Sequence, residues 1–263
     1  MRRYLFIILG ILGLCGYAQS ADDWNLVWND EFDTDGRPDS TRWNYERGFV
    51  RNQEMQWYAP ENVYQRDGKM VIEARPADFA CPTFVEGNND WRRNKERVQW
   101  TSGAVETRES FSYQYGRLEV RARIPVCLGA WPAIWLMGKG LPWPSNGEVD
   151  LMEYSQSGGK PTILANAAWG SDKPGVGRWD SSYTPLTHFT DSDPMWASRF
   201  HTWTMDWDED FIRIYLDDRL LNETDLSGTV NRSGRFQGLN PFTKPHYLLI
   251  NLAIGGTGGR ETK

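Results

Sequence analysis

The segment Gly147-Glu148-Val149-Asp150-Leu151-Met152-Glu153-Tyr154 sets three carboxylates among apolar residues. Side chains of a β-strand alternate between faces, so Glu148 and Asp150 share one face while Val149 and Leu151 point into a core. By simple parity Glu153 falls on the wrong face. One extra residue at Leu151-Met152, a β-bulge, brings it back and makes a row of three acids. Like charges this close raise at least one pKa. An ionised carboxylate beside a protonated one is what glycosidic cleavage uses, the first as nucleophile and the second to assist the leaving group. Retaining enzymes hold the two groups about 5–5.5 Å apart. On a bulged strand the outer Cα atoms lie about 13 Å apart, a gap that two inward-leaning Glu side chains largely close. Two other readings stand beside catalysis at this point: an exposed helix with Asp150 and Glu153 at i,i+3, and oxygen ligation of Ca²⁺.

The elements that must position these acids read as strands. Short alternating apolar runs separated by turn residues are the all-β pattern. Lys69 to Ala74 follows an Asp67-Gly68 turn, Tyr115 to Ile124 alternates over its whole length, and Phe211 to Leu216 leads into Asp217-Asp218. His246 to Ile254 is nearly all apolar and suits a strand covered on both faces. Strands of this number and length predict a sandwich of two antiparallel sheets. The row Arg117, Glu119 and Arg121 is too charged for a dry core, so it lies in solvent or in a wet groove. Ala77 to Thr101 shows no periodicity and holds a basic run of Arg92, Arg93, Lys95 and Arg97, which reads as a loop at the rim of a cleft or a solvated insertion.

Composition bounds the function. Aromatic residues make up 14% of the 263 residues, with 14 Trp, and charged residues 24%. That much burial capacity argues against disorder, and the Gly, Pro and aromatic load argues against a helical bundle. The net charge of −6 argues against general nucleic-acid affinity. Arg2-Arg3, the apolar run Leu5 to Leu14 and Gly16-Tyr17-Ala18 read as a signal peptide over 1–18, cleaved after Ala18. Lipid attachment at Cys15 is the lesser alternative. Cys81 and Cys127 remain in the mature chain, and their spacing does not say whether they are bridged. With no CxxC and only His188, His201 and His246, paired Cys or His zinc ligation is disfavoured, and no metal site is assigned.

The acid segment resembles the Glu-x-Asp-x-x-Glu signature of glycoside hydrolase family 16 in its laminarinase-like form. Trp24 to Phe32 looks like the family's N-terminal strand, and Asn52-Gln53-Glu54-Met55-Gln56-Trp57-Tyr58 is similar to its cleft segment. Tyr115 to Arg121, Trp131-Pro132-Ala133-Ile134-Trp135-Leu136, Phe200 to Trp203 and Asn251 to Gly256 match further segments in the family order. The resemblance implies a jelly-roll sandwich over 22–263 with an open concave cleft, hence endo-acting, retaining cleavage of internal β-linkages. It implies Glu148 as nucleophile, Asp150 as the assisting acid and Glu153 as acid/base. It implies that Trp131 and Trp135 stack on sugar rings, that Asn52, Arg117, Glu119, Arg121, His201 and Asn251 contact the substrate, and that the charged strand face is a groove.

Cleavage by a pair of carboxylates needs no cofactor, the chain is read as a monomer, and the signal peptide predicts export, periplasmic or extracellular/cell surface. A structural calcium occurs in the family and is not assigned here. The family pattern continues with a further strand past Lys263. The Arg47 to Arg51 segment and the Ala77–Thr101 insertion depart from ordinary laminarinases and resemble members acting on mucin-type or galactose-containing glycans. The implied substrates are therefore a β-1,3/1,4-glucan or a β-galactoside polymer such as poly-N-acetyllactosamine. A non-catalytic glycan-binding module and a transglycosylase are the alternative functions.

Overall fold

Alternating apolar residues form strands because one face of each can be buried while the backbone pairs with its neighbours. The fold is seen in a computed structural model that describes residues 24–259. The predicted signal segment 1–18, Cys15 included, lies outside the described residues. The strands run β1 (Asn44–Tyr45), β2 (Gln56–Tyr58), β3 (Val63–Gln65), β4 (Met70–Ile72), β5 (Arg75–Ala80) and β6 (Arg97–Ser102). Then come β7 (Ala104–Glu106), β8 (Gly116–Ala122), β9 (Ala130–Gly138), β10 (Glu148–Ser157), β11 (Lys160–Gly170) and β12 (Gly177–Pro185). The last are β13 (His201–Trp207), β14 (Phe211–Leu216), β15 (Arg219–Asp225) and β16 (His246–Ile254). A seven-stranded antiparallel sheet has the order β1-β7-β16-β9-β10-β11-β12, and a four-stranded one the order β15-β14-β13-β8. This is the expected all-β sandwich of jelly-roll type.

The core lies between these two sheets. Leu136, Val149, Leu151 and Ala167 of the large sheet are buried, as are Trp203, Met205, Ile212 and Ile214 of the small one. Truncating one such Leu to Ala costs about 2–5 kcal/mol. Asp217 and Asp218, both at positive φ, close the β14–β15 hairpin, as the sequence predicted.

Three expectations are corrected. Residues 24–32 carry no regular strand. The chain divides by contact into a unit ending at Asp30 and a compact unit from Glu31, and in the first Leu26 and Val27 are exposed. The stretch Ala77–Thr101 is not structureless, because its ends form the antiparallel pair β5–β6. This pair has its own apolar centre of Phe49, Cys81 and Val98, with Trp57, Phe84 and Trp91 packed on it. Lys95 lies 4.2 Å from the Phe49 ring centroid and donates to the Glu54 carbonyl at 2.9 Å, so the basic run is partly structural. Cys81 and Cys127 are both free, the first buried and the second exposed.

The third correction concerns the charged strand. Arg117, Glu119 and Arg121 lie on β8, the edge of the four-stranded sheet, and not on the sheet that carries the acids. Leu118 and Val120 turn toward the core, so the charged residues face outward. Arg117 Nε donates to Asp206 Oδ1 at 2.6 Å, and the face is a solvated one rather than a groove. His201 belongs to the same sheet. It is buried, contacts Asp217 Oδ2 at 2.6 Å and the Trp196 carbonyl at 2.9 Å, and stacks on Trp196. Its place is structural.

Candidate active site

The bulge predicted at Leu151-Met152 is present: the register of β10 shifts between Asp150 and Met152 against β9, and between Asp150 and Glu153 against β11. Against β9, Glu148 pairs with Met137, Asp150 with Trp135 and Glu153 with Ala133. Those partners are two residues apart, so all three acids point to one face, the one turned away from the core. Gly147 supplies the turn into the strand at φ +79°, and a Cβ there would lie 2.9 Å from Pro241 and 3.0 Å from His246 Nε2. Only glycine fits that approach.

Each outer acid is held by its own indole donor, and the inner one by an amide shared with Glu153. Trp143 Nε1 donates to Glu148 Oε2 at 2.5 Å, and Trp131 Nε1 to Glu153 Oε1 at 2.9 Å. Asn166, paired with Asp150 across β11, donates its one amide nitrogen to Asp150 Oδ2 at 2.9 Å and to Glu153 Oε2 at 3.1 Å. Asp150 interacts with both outer acids, Glu148 and Glu153.

The three environments differ. Burial, and then the charges of Glu153 and Glu148, push the Asp150 carboxyl well above the usual carboxylate range. Burial and the Glu148 charge push Glu153 up to about 7. Burial raises Glu148 too, opposed by the Trp143 N–H, Asp150 and the Arg51 charge. Of the two outer acids, only Glu148 has a cation opposing its burial, which suits it to be the anion. Glu153, near 7, suits proton transfer at neutral pH.

The predicted sugar contacts separate. Asn251 shares the acids' sheet, but it accepts from Trp135 Nε1 at 2.8 Å and donates to Tyr58 Oη at 3.0 Å. Trp135 is 8% exposed, with the Arg51 guanidinium 5.0 Å from its ring centroid. It is a roofed floor, not the open stacking surface expected. Trp131 is half-buried, with Gly258 packed closely against its indole, and its visible work is to hold Glu153. Asn52 is exposed at positive φ, and its carbonyl accepts from Thr257, in the segment leading to Gly258. Arg117, Glu119, Arg121 and His201 are not part of this site.

Sequence reasoning missed Asn166, Trp143 and the placement of Arg51. Asn166 had a signal, being the one polar residue in the run Ile163 to Trp169. Trp143 and Arg51 lie in loops, whose course no periodicity reveals.

Comparison with known proteins agrees with this geometry. The sequence profile of glycosyl hydrolases family 16 matches residues 50–261. A β-glucanase of Rhodothermus marinus is 32% identical, over 99% of this chain and 87% of its own length. A solved structure from work on endo-acting O-glycanases, which prominent members of the human gut microbiota express to initiate mucin breakdown, superposes with a TM-score of 0.79. It is 34% identical and covers 90% of this chain and 83% of its own. The catalytic domain of an endo-1,3-β-glucanase (laminarinase) from Thermotoga petrophila superposes at 0.69 with 28% identity, over 89% and 88% of the two chains.

Proposed function

This chain belongs to glycosyl hydrolases family 16 and is an endo-acting glycoside hydrolase; from that premise we propose that it cleaves internal β-linkages of a glycan with retention, through Glu148, Asp150 and Glu153. The observation that carries the reading is the row of three acids on one face, with Glu153 raised to about 7 and Glu148 hydrogen-bonded by Trp143. The Glu148 carboxylate attacks the anomeric carbon as the glycosidic C–O bond breaks. Glu153 gives its proton to the departing oxygen, and a glycosyl ester forms on Glu148. Glu153, now ionised, takes a proton from water as that water attacks the same carbon, and Glu148 is released. Asp150, between the two on the same face, steadies the nucleophile by favouring the ionised form of Glu148.

For the substrate, we propose a β-galactoside-containing glycan of the O-glycan type rather than a β-glucan. What favours it is the greater likeness to the O-glycanase structure than to the laminarinase, in both superposition and identity. We also propose export directed by residues 1–18, and no helix among the described residues is long and apolar enough to cross a membrane.

The test is product analysis on laminarin, barley mixed-linkage glucan, keratan-type glycan and mucin, with the anomeric form of the first product followed by NMR. New reducing ends from mucin or the keratan-type glycan, in the β-form, are expected. Glu148→Gln abolishes turnover while glycan binding survives. Full activity in that variant removes the assignment of the nucleophile.

A further inference from the structure

The two halves of the acids' face differ in what they leave open. On the β9–β16 side, Ala133, Trp135, Tyr247 and Leu249 form a buried cluster. Arg51 roofs Trp135, and Arg108 lies 4.7 Å from the Tyr247 ring centroid. On the other side, β11 offers Ala168 opposite Glu148 and Leu164 opposite Glu153. Beyond them β12 places Trp179 beside Ala168 and Tyr183 beside Leu164. Trp179 is 46% exposed and Tyr183 58%. Trp143, itself 43% exposed, holds Glu148 with its N–H while its ring centroid lies 6.5 Å from that of Trp179.

Exposed aromatic side chains gathered on one face are costly to leave in water and mark binding grooves. Strand spacing puts β12 about 10 Å across the sheet from β10, and Trp179 and Tyr183 are about 13 Å apart along β12. One aromatic ring therefore flanks the Glu148 end of the acid row and the other the Glu153 end.

We propose that Trp143, Trp179 and Tyr183 form the platform on which the sugar rings next to the scissile bond stack, so that the glycan crosses β11 and leaves over β12. The proposal rests on the glycosidase reading of the acids. It moves the stacking surface from Trp131 and Trp135, where the sequence put it, to the opposite side of the nucleophile. The ligand it takes is a run of neutral β-linked hexopyranoses, whose apolar C–H faces match an aromatic plane and whose hydroxyls reach the phenol of Tyr183 and the indole N–H of Trp179.

The test compares the wild type with Trp179→Ala/Tyr183→Ala and with Trp179→Phe/Tyr183→Phe on whichever polymer of the panel is cleaved. Trp143 is left intact because it touches Glu148. The double alanine variant is expected to raise KM about tenfold or more, with kcat changed much less, and the double phenylalanine variant to stay near wild type. A melting curve matching wild type checks the fold. An unchanged KM in the folded alanine variant overturns the platform and leaves the glycosidase reading standing. So does an unchanged KM accompanied by loss of a dimer, which would make the face a contact between copies of the chain. Failure of the wild type to cleave any polymer of the panel overturns the underlying reading, and the platform with it.

Discussion

The indole N–H of Trp143 meets Glu148 Oε2 at 2.5 Å, so the acid at the start of β10 is held by a side chain of the loop that joins β9 to β10. A donor to the charged form lowers a carboxyl's pKa. Trp143→Phe keeps the ring and removes the N–H. It is expected to lower kcat/KM on the order of tenfold to a hundredfold and to move the acidic limb of the pH profile upward, because Glu148 then ionises at higher pH. An acidic limb that stays in place would show that Trp143 does not tune this carboxylate.

Asn166 does the same for Glu153, whose pKa stands near 7. Loss of activity at high pH follows deprotonation of this acid, so the basic limb of kcat/KM falls near neutrality. Asn166→Ala removes a hydrogen bond that favours the ionised form. The basic limb is expected to move to higher pH while kcat drops, both read from pH–rate profiles. A downward shift would mean that lost packing, not the hydrogen bond, sets the proton affinity.

The acid row should cost stability. Because Glu153 titrates near 7 in the fold against 4.5 ordinarily, the folded state disfavours its charge. Stability is full below about pH 4.5 and declines as pH rises through 7. Glu153→Gln is expected to be more stable than wild type at pH 8, by up to about 3 kcal/mol, and to match it at pH 4. Denaturant midpoints at the two pH values measure this, and a variant less stable than wild type at pH 8 contradicts it.

The outer face of β8 should be silent in catalysis. Arg117→Ala and Glu119→Ala are expected to keep kcat/KM near wild type and to change stability by less than about 1 kcal/mol, since the Arg117–Asp206 pair is a surface one. A large rise in KM in either variant would return that face to the substrate path.

Much of the fold was readable from one-dimensional pattern. The alternation of Leu118, Val120 and Ala122 predicted a strand, and a strand is there. The odd spacing of Glu153 predicted the bulge, because side-chain parity leaves no other way to bring five-apart residues to one face. The hairpin after Leu216 followed from Asp217-Asp218, which tolerate positive φ. The β5–β6 pair shows no period of its own because its apolar contacts run to Phe49 and Trp57, which precede it in the chain.

By itself, then, the sequence determined the alternating strands, the acids and their common face, since each depends on residues within a few positions of one another. Only the tertiary structure decided which sheet a strand joins and what covers each face. That is why Arg117, Glu119, Arg121 and His201 fell away from the site: β8 pairs with β13, not with any strand of the acid sheet. It is also why Trp135 is roofed by Arg51 while Trp179 stands open. Strand order and the course of loops come from pairings between distant segments, as when β16 closes against β9, and such pairings leave no local period in the chain.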